Sequence, residues 1–229
     1  MIRKATPNDA NFIAVGILAA ERGIHKIGIW DVYLGETIDS MTNQSTSLAT
    51  KALQRVVTTA TSCLYHFSQF LIYEVDGGPV GCACGYLHPE KSLLQTMTFL
   101  GQAMQGLAGW EESHCVCAKE RLNFLDDCFP ADVAFDGKWI IEAVYVDDNF
   151  RRKGIASKLV RAVAEMGSQV SDDVLIGVAV GNDGSMSCYE QIGFSRVGSV
   201  PSSKECEQVL GGCSGFSYLE KKTKTQAYS

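Results

Sequence analysis

The stretch Val144-Tyr145-Val146-Asp147-Asp148-Asn149-Phe150-Arg151-Arg152-Lys153-Gly154-Ile155-Ala156 carries an apolar strand into a basic, glycine-containing turn and straight on into a helix. A turn built that way holds phosphates. The first backbone N–H groups of a helix have no intrahelical partner, and the macrodipole presents partial positive charge there, so an anion docks on main chain alone. Gly154 lets a pyrophosphate approach without a Cβ in the way, and Ala156 keeps the next inward position small. Arg151, Arg152 and Lys153 add charge at the same place. Working outward, Trp139 to Val146 reads as a strand and Ile155 to Met166 as a helix with Leu159, Val160, Val163 and Met166 on one face, closed by Gly167. Val174 to Val180 is a second apolar strand, and the unit must be a right-handed parallel crossover if the two strands share a sheet.

Arg-x-x-Gly-x-Ala at 151–156 resembles the pyrophosphate-binding signature of the GCN5-related N-acetyltransferases, Gln/Arg-x-x-Gly-x-Gly/Ala between the fourth strand and third helix. At the right distance beyond it, Asn182 through Tyr189 to Gly193-Phe194 is similar to the second family block, Asn-x-x-Ala-x-x-x-Tyr-x-x-x-Gly-Phe, with Ser185 in place of the common alanine. The opening Ile2 to Ala10 also looks like the family's first strand and helix, whereas the likeness thins between about residues 20 and 137. The resemblance implies an α/β (α+β) fold: a mixed, mostly antiparallel sheet flanked by helices, whose splayed fourth and fifth strands admit acetyl-CoA. It further implies one N-acetyltransferase domain over 1–229, with a helical insertion at about 89–137 as a lid or subdomain.

Composition agrees with a globular chain: 229 residues, 46% of them hydrophobic and 20% charged. Nine cysteines, an odd number without a secreted-framework spacing, fit reduced thiols in a cytoplasmic protein. Thr6-Pro7-Asn8-Asp9 reads as a helix start, so the apolar run Phe12 to Ala20 is the first helix and not a signal peptide. No apolar run reaches the ~20 residues that span a bilayer, and the net charge of −6 argues against nucleic acid as a partner. Charge is polarised along the chain. Pro89 to Gly137 holds eight acidic residues against three basic ones, whereas Phe150 to Arg161 holds five basic residues and no acid. A protein that binds a polyanionic cosubstrate on one side and a cationic amine on the other is polarised in this way. Two solvated faces are the plainer alternative.

Elsewhere, helices are expected over residues 7–21 and about 47–60, and a hairpin over Phe70 to Val75 and Val80 to Leu87 turning at Asp76-Gly77-Gly78. Within 91–137 the helix-like stretches are Leu93 to Leu107 and Cys115 to Leu125; two last strands are expected at Ser195 to Val200 and Phe216 to Lys221, before a polar tail.

Acetyl transfer from a thioester to an amine needs a base, a polarised carbonyl and a proton for the departing thiolate. Period-2 alternation puts Glu142, Val144 and Val146 on one face of the strand, where a carboxylate among apolar groups is a candidate base, directly or through water. By resemblance Glu142 stands where some relatives carry that glutamate, and Tyr189 where many carry the tyrosine that protonates the thiolate. Both also suit plain structural roles, as a paired glutamate and a packed aromatic. The implied cosubstrate contacts are Val144, Val146, Arg151, Arg152, Lys153, Gly154, Ile155, Ala156, Asn182 and Tyr189, many of them through backbone N–H. Trp30 and Asp31 lie where relatives contact acceptors, or serve packing. Cys82-x-Cys84 with His114-Cys115-x-Cys117 is a poor zinc spacing, and no metal is expected. The reading is an acyl-CoA-dependent N-acyltransferase using acetyl-CoA in direct transfer to a primary amine. The acceptor class leans to a small cationic amine, such as a polyamine or amino sugar, with a protein amine and a homodimer left open. The second reading is a CoA-binding sensor or scaffold without catalysis.

Overall fold

The computed structural model describes residues 1–35, 47–91, 93–123 and 134–223. Its sheet has seven strands: β1 (Ile2–Lys4), β2 (Phe70–Val75), β3 (Gly78–Leu87), β4 (Trp139–Val146), β5 (Asp173–Ala179), β6 (Ser195–Pro201) and β7 (Gly215–Lys222). They lie in the order β1-β2-β3-β4-β5-β7-β6, and every neighbouring pair is antiparallel except β4 with β5. The one parallel pair is the one joined by a helix, since parallel neighbours need a crossover. The helices are α1 (Ala10–Arg22), α2 (Ile29–Leu34), α3 (Leu48–Val57), α4 (Leu93–Ala108), α5 (Glu112–Glu120), α6 (Ile155–Gly167), α7 (Asp183–Gln191) and α8 (Lys204–Val209).

Local chemistry accounts for the helix starts. Pro7–Asp9 forms a single 3-10 turn ahead of α1, and the Asp9 carboxylate accepts from the Thr6 N–H and hydroxyl while pairing with Arg3. Ser47 caps α3 by accepting from the Thr50 N–H at 3.1 Å. The boundaries expected for the hairpin, β4, α6 and β5 are met within two residues. α5 differs: it begins at Glu112, three residues ahead of the expected stretch, and residues 124–133, which carry Asp126, Asp127, Cys128 and Asp132, lie outside the described ones, as does the tail from 224. α2 and α8, at six residues each, are too short to show a period in sequence.

The sheet carries an apolar cluster on each face. One joins α1, α2, α3 and α4 to Cys82, Cys84, Tyr86, Ile140 and Ala143; α4 contributes Met97, Leu100 and Met104 to it. The other joins α6 and α7 to Ile141, Val146, Ile176 and Val178. α1 sits close on the sheet because residue 16 is glycine, where a Cβ would lie 2.6 Å from Cys82 Sγ. At its far end Arg22 closes a buried bidentate pair with Asp31, Nε to Oδ2 at 2.8 Å and Nη2 to Oδ1 at 2.6 Å, and Asp31 also accepts from the Gly28 N–H. That pair folds the turn at 23–28 back on α1. Trp30 packs edge-on to Tyr65 and Tyr33, and the Tyr33 hydroxyl donates to the Met97 carbonyl at 2.8 Å, which docks α4.

Removing one partner of a buried ion pair strands the other charge, so Asp31→Ala is expected to lower stability by about 3–5 kcal/mol. Urea unfolding checks this, and a loss below about 1 kcal/mol would mean the pair does not anchor the turn.

Candidate active site

β4 and β5 are paired only from Trp139 to Ile141, against Val174 to Ile176. Beyond that point they part. β5 continues along β7 as far as Ala179, while β4 bulges, with Ala143 (φ 49°) and Val144 together facing Ala83 of β3. The edge of β4 that faces β5 is thus unpaired from Glu142 onward, and its main-chain polar groups open into a cavity of about 1580 Å³ that crosses the sheet.

The bulge corrects one expectation. Strict alternation would set Glu142 beside Val144 and Val146; the extra residue at 143 breaks the period, so Glu142 turns to the α1 face. Its Oε1 accepts from the Tyr86 hydroxyl at 2.9 Å. Val144 and Val146 pack with the α6 cluster.

One end of the cavity is the turn before α6. Gly154 caps the helix at φ +72°, and nothing lies within 4 Å of where its Cβ would be, so the first N–H groups of α6 face open space. Arg152 is also left-handed, at φ +63°. Val144, Val146, Arg151, Arg152, Gly154, Ile155 and Ala156 all line this end, and Lys153 does not. Lys153 Nζ instead reaches the Asn149 carbonyl at 3.3 Å and lies 4.9 Å over the Phe150 ring. Arg151 braces the turn, its Nε donating to the Val146 carbonyl at 3.1 Å and its Nη2 pairing with Asp148 at 2.7 Å. Asn182 caps α7 by accepting from the Ser185 N–H at 3.2 Å, and also lines the cavity. Tyr189, buried against Phe194, borders it too; burial holds its hydroxyl well above the usual tyrosine value, so at neutral pH it is a proton donor.

The other end holds two carboxylates. Glu21, on the last turn of α1, accepts from the Tyr65 hydroxyl at 2.9 Å, and Glu142 accepts from Tyr86. Burial pushes Glu142 up from the usual carboxylate range, opposed by the hydroxyls of Tyr86 and Tyr65. Glu21 is pushed up to about 8, first by burial and then by the charge of Glu142. The two titrate as a pair, the charge on one holding the proton on the other. Sequence reading missed Glu21, Tyr65 and Tyr86. A signal for Glu21 was present: it continues the stripe of Ile13 and Ile17 at i+4 spacing, so a carboxylate occupies a position that the helix period assigns to the interior. Tyr86 likewise follows Cys82 and Cys84 on one face of β3.

Other expectations resolve differently. The described acids of the 89–137 segment, Glu90, Glu111, Glu112, Glu120 and Asp136, do not line the cavity, so its negative charge at this end comes from α1 and β4. The segment supplies apolar wall instead: Leu93, Leu94, Met97, Leu122 and Phe135. Trp30 and Asp31 are fully buried and stand behind the wall. Cys82 and Cys84 are buried in β3, donating to the carbonyls of Ala143 and Leu64, and among the described residues no three His, Cys, Asp or Glu side chains gather as metal ligands. No helix among them is long and apolar enough to cross a membrane.

Comparison with known proteins matches the model of the acetyltransferase (GNAT) family over residues 38–194. Among solved structures, an acetyltransferase covers 98% of this chain and all of its own at 19% identity and a TM-score of 0.64. An N-acetyltransferase from Staphylococcus aureus Mu50 covers 96% and 100% at 19% identity and 0.61. A putative acetyltransferase from Salmonella typhimurium, solved with acetyl-CoA, covers 100% and 96% at 14% identity and 0.52. At these identities the structural likeness shows a shared fold alone. Among curated proteins no sequence match is found.

A carboxylate whose folded value lies above its unfolded one keeps in the native state a proton that the unfolded chain has released. Stability is therefore lost as pH rises between the two values. For Glu21 that window runs from 4.5 to about 8. Thermal melts should fall across it, and Glu21→Gln should flatten the fall; an equal pH slope in the variant would remove Glu21 from the account.

Proposed function

Because the chain belongs to the GNAT acetyltransferase family, we propose that it transfers the acetyl group of acetyl-CoA to a primary amine, directly, in a ternary complex. The observation that carries this reading is one cavity joining an open, basic helix start to two half-buried carboxylates through the gap between β4 and β5. Pyrophosphate fits the first: Gly154 leaves the helix N-terminus accessible, and Arg152 adds charge at the mouth. The pantetheine arm then runs along the unpaired edge of β4, past Val146 and Val144, with Asn182 and the α7 turn on its other side. Main chain with no strand partner needs one, and an amide-bearing arm supplies it.

At the carboxylate end the acceptor enters as an ammonium. Glu142, adjoining the β4 edge, takes its proton directly or through a water, and the free amine attacks the thioester carbonyl. As the C–S bond breaks, the Tyr189 hydroxyl gives its proton to the departing sulfur and the phenolate so formed is restored by the second proton of the amide nitrogen, so that CoA leaves as thiol, the new amide is neutral, and Glu142 gives up its proton to solvent. Glu142 suits the base because burial raises its proton affinity without removing it from hydrogen-bond reach. Tyr189 suits the acid because its hydroxyl stays protonated until a stronger base forms beside it. A CoA sensor without catalysis is the second reading. The two half-buried carboxylates favour the enzyme, since cosubstrate binding alone gives no reason to keep them.

Calorimetric titration with acetyl-CoA and CoA, followed by thiol release with a panel of amines, tests the proposal: binding with turnover is expected. Binding without turnover on any amine would favour the sensor, and no binding would overturn both readings. Gly154→Glu should abolish binding by placing a side chain and a negative charge in the pyrophosphate site. Glu142→Gln and Tyr189→Phe should each lower kcat/KM by about 10²–10⁴-fold while acetyl-CoA binds as before.

A further inference from the structure

Where the ladder between β4 and β5 ends, the strands set a row of residues across one face of the sheet. The last parallel pair is Ile141 with Ile176, so the next positions, Glu142 and Gly177, are neighbours across the start of the gap. On the far side of β5, Gly177 pairs with Tyr218 of β7. Alternation puts the row on the α1 side: Ile140 and Leu175, two residues earlier on each strand, belong to the cluster there, and so does Tyr218. Glu142, Gly177 and Tyr218 all line the cavity, and Gly177 is exposed in a strand that is otherwise largely buried. Neither backbone nor packing calls for glycine at 177. Its φ lies outside the left-handed region, and the ladder with β7 runs through it in even register, without a bulge. A Cβ there would meet Tyr218 Cε1 at 3.4 Å and Cδ1 at 3.7 Å, ordinary contact, and no other described atom within 4 Å. Glycine weakens a strand interior, and a close approach by a ligand is one of the few reasons to keep it. The Tyr218 ring is held beside the opening by Phe135, edge-on at 5.5 Å and 88°.

From this row we infer that Gly177 sets acceptor specificity by admitting a planar ring between Glu142 and Tyr218, and that the acceptor is an arylalkylamine. The inference rests on the acetyltransferase reading and deepens its acceptor class. With the amine at Glu142, a ring seated over the Gly177 backbone meets the edge of the Tyr218 ring, an arrangement that aromatic pairs prefer to a face-to-face sandwich. Neighbouring strands lie about 5 Å apart, so a ring centred over β5 stands about 5 Å from an amine at β4, the reach of one or two methylenes. A flat ring lies close on a backbone that carries no side chain, whereas a saturated ring stands off from it. Any side chain at 177 would take the place of the ring while leaving the space next to Glu142 open to a small amine.

The test is thiol release with acetyl-CoA and methylamine, benzylamine, phenethylamine, 2-cyclohexylethylamine, putrescine or a lysine-containing peptide, on the native chain, Gly177→Ala and Gly177→Val. Phenethylamine and 2-cyclohexylethylamine form the deciding pair for the ring, since they have equal numbers of heavy atoms and differ in planarity. The native chain is expected to prefer benzylamine or phenethylamine to every other amine of the panel by more than about tenfold in kcat/KM. Gly177→Val should lower kcat/KM for the preferred arylalkylamine by about 10–100-fold, chiefly through KM, and leave methylamine within about threefold, with Gly177→Ala between. Acetyl-CoA titration is expected to be unchanged in both variants, because a β-branched residue suits a strand and the Cβ fits. Should Gly177→Val lose acetyl-CoA binding, Gly177→Ala decides, and must show the same split between arylalkylamine and methylamine at smaller size. Preference for methylamine, cyclohexylethylamine, putrescine or the peptide, or an equal loss on methylamine and phenethylamine in the variants, would overturn the inference and leave the acetyltransferase reading standing. No turnover on any of these amines would overturn both.

Discussion

The separation of β4 from β5 after three paired residues is the constraint on which the rest of the molecule depends. Had the pair continued, the sheet would be closed, its backbone groups satisfied internally, and the two apolar clusters would be isolated from each other. Two devices hold it open. β5 keeps its course beside β7 along its whole length, Asp173 to Ala179 against Lys222 to Phe216, while β4 leaves it after Ile141. β4 bulges at Ala143 and bends toward β3. A left-handed alanine is strained by about 1–2 kcal/mol, and it persists because the flanking ladder over-determines it. The cavity and the exposed β4 edge follow from the two together, and the placing of Glu142 on the face opposite Val144 and Val146 follows from the extra residue.

The carboxylate pair is the second costly feature. Enclosing Glu21 and Glu142 together raises both proton affinities and works against folding at neutral pH, yet each receives a tyrosine hydroxyl that lowers the cost without neutralising it. The support is built from far along the chain. Tyr65 is locked by Trp30, which the Arg22–Asp31 pair positions, and that pair in turn fixes the end of α1 that carries Glu21. Residues read in sequence as acceptor contacts thus act one layer back, by orienting the groups that face the cavity.

Legibility differs between the two ends of the cavity for a physical reason. The phosphate end is made by contiguous chain: strand, turn and helix start lie within 144–156, and their chemistry depends on backbone shape, which Gly154 and the apolar periods announce. Asn182 and Tyr189 are legible for the same reason, standing at fixed offsets from a strand end and a glycine. The acceptor end is assembled from α1, the segment before β2, the end of β3, β4 and α4. Its carboxylate at 21 differs from any surface glutamate only by continuing an apolar stripe, a faint signal in a thirteen-residue helix. Charge counting over 89–137 pointed to acids that do not line the cavity: that segment turns its described acids outward and sets Leu93, Met97, Leu122 and Phe135 against the cavity, which helical periods within it imply only once its partners are known.

By itself the sequence determined the order of strands and helices around 139–194, the turn that suits a pyrophosphate and the candidate pair Glu142 and Tyr189, because each rests on neighbours within a few residues. Tertiary structure alone decided which way Glu142 points, since a bulge is a mismatch between two strands and has no existence in one. It alone brought Glu21, Tyr65 and Tyr86 to that carboxylate, because their meeting is set by where α1 and β3 cross the sheet.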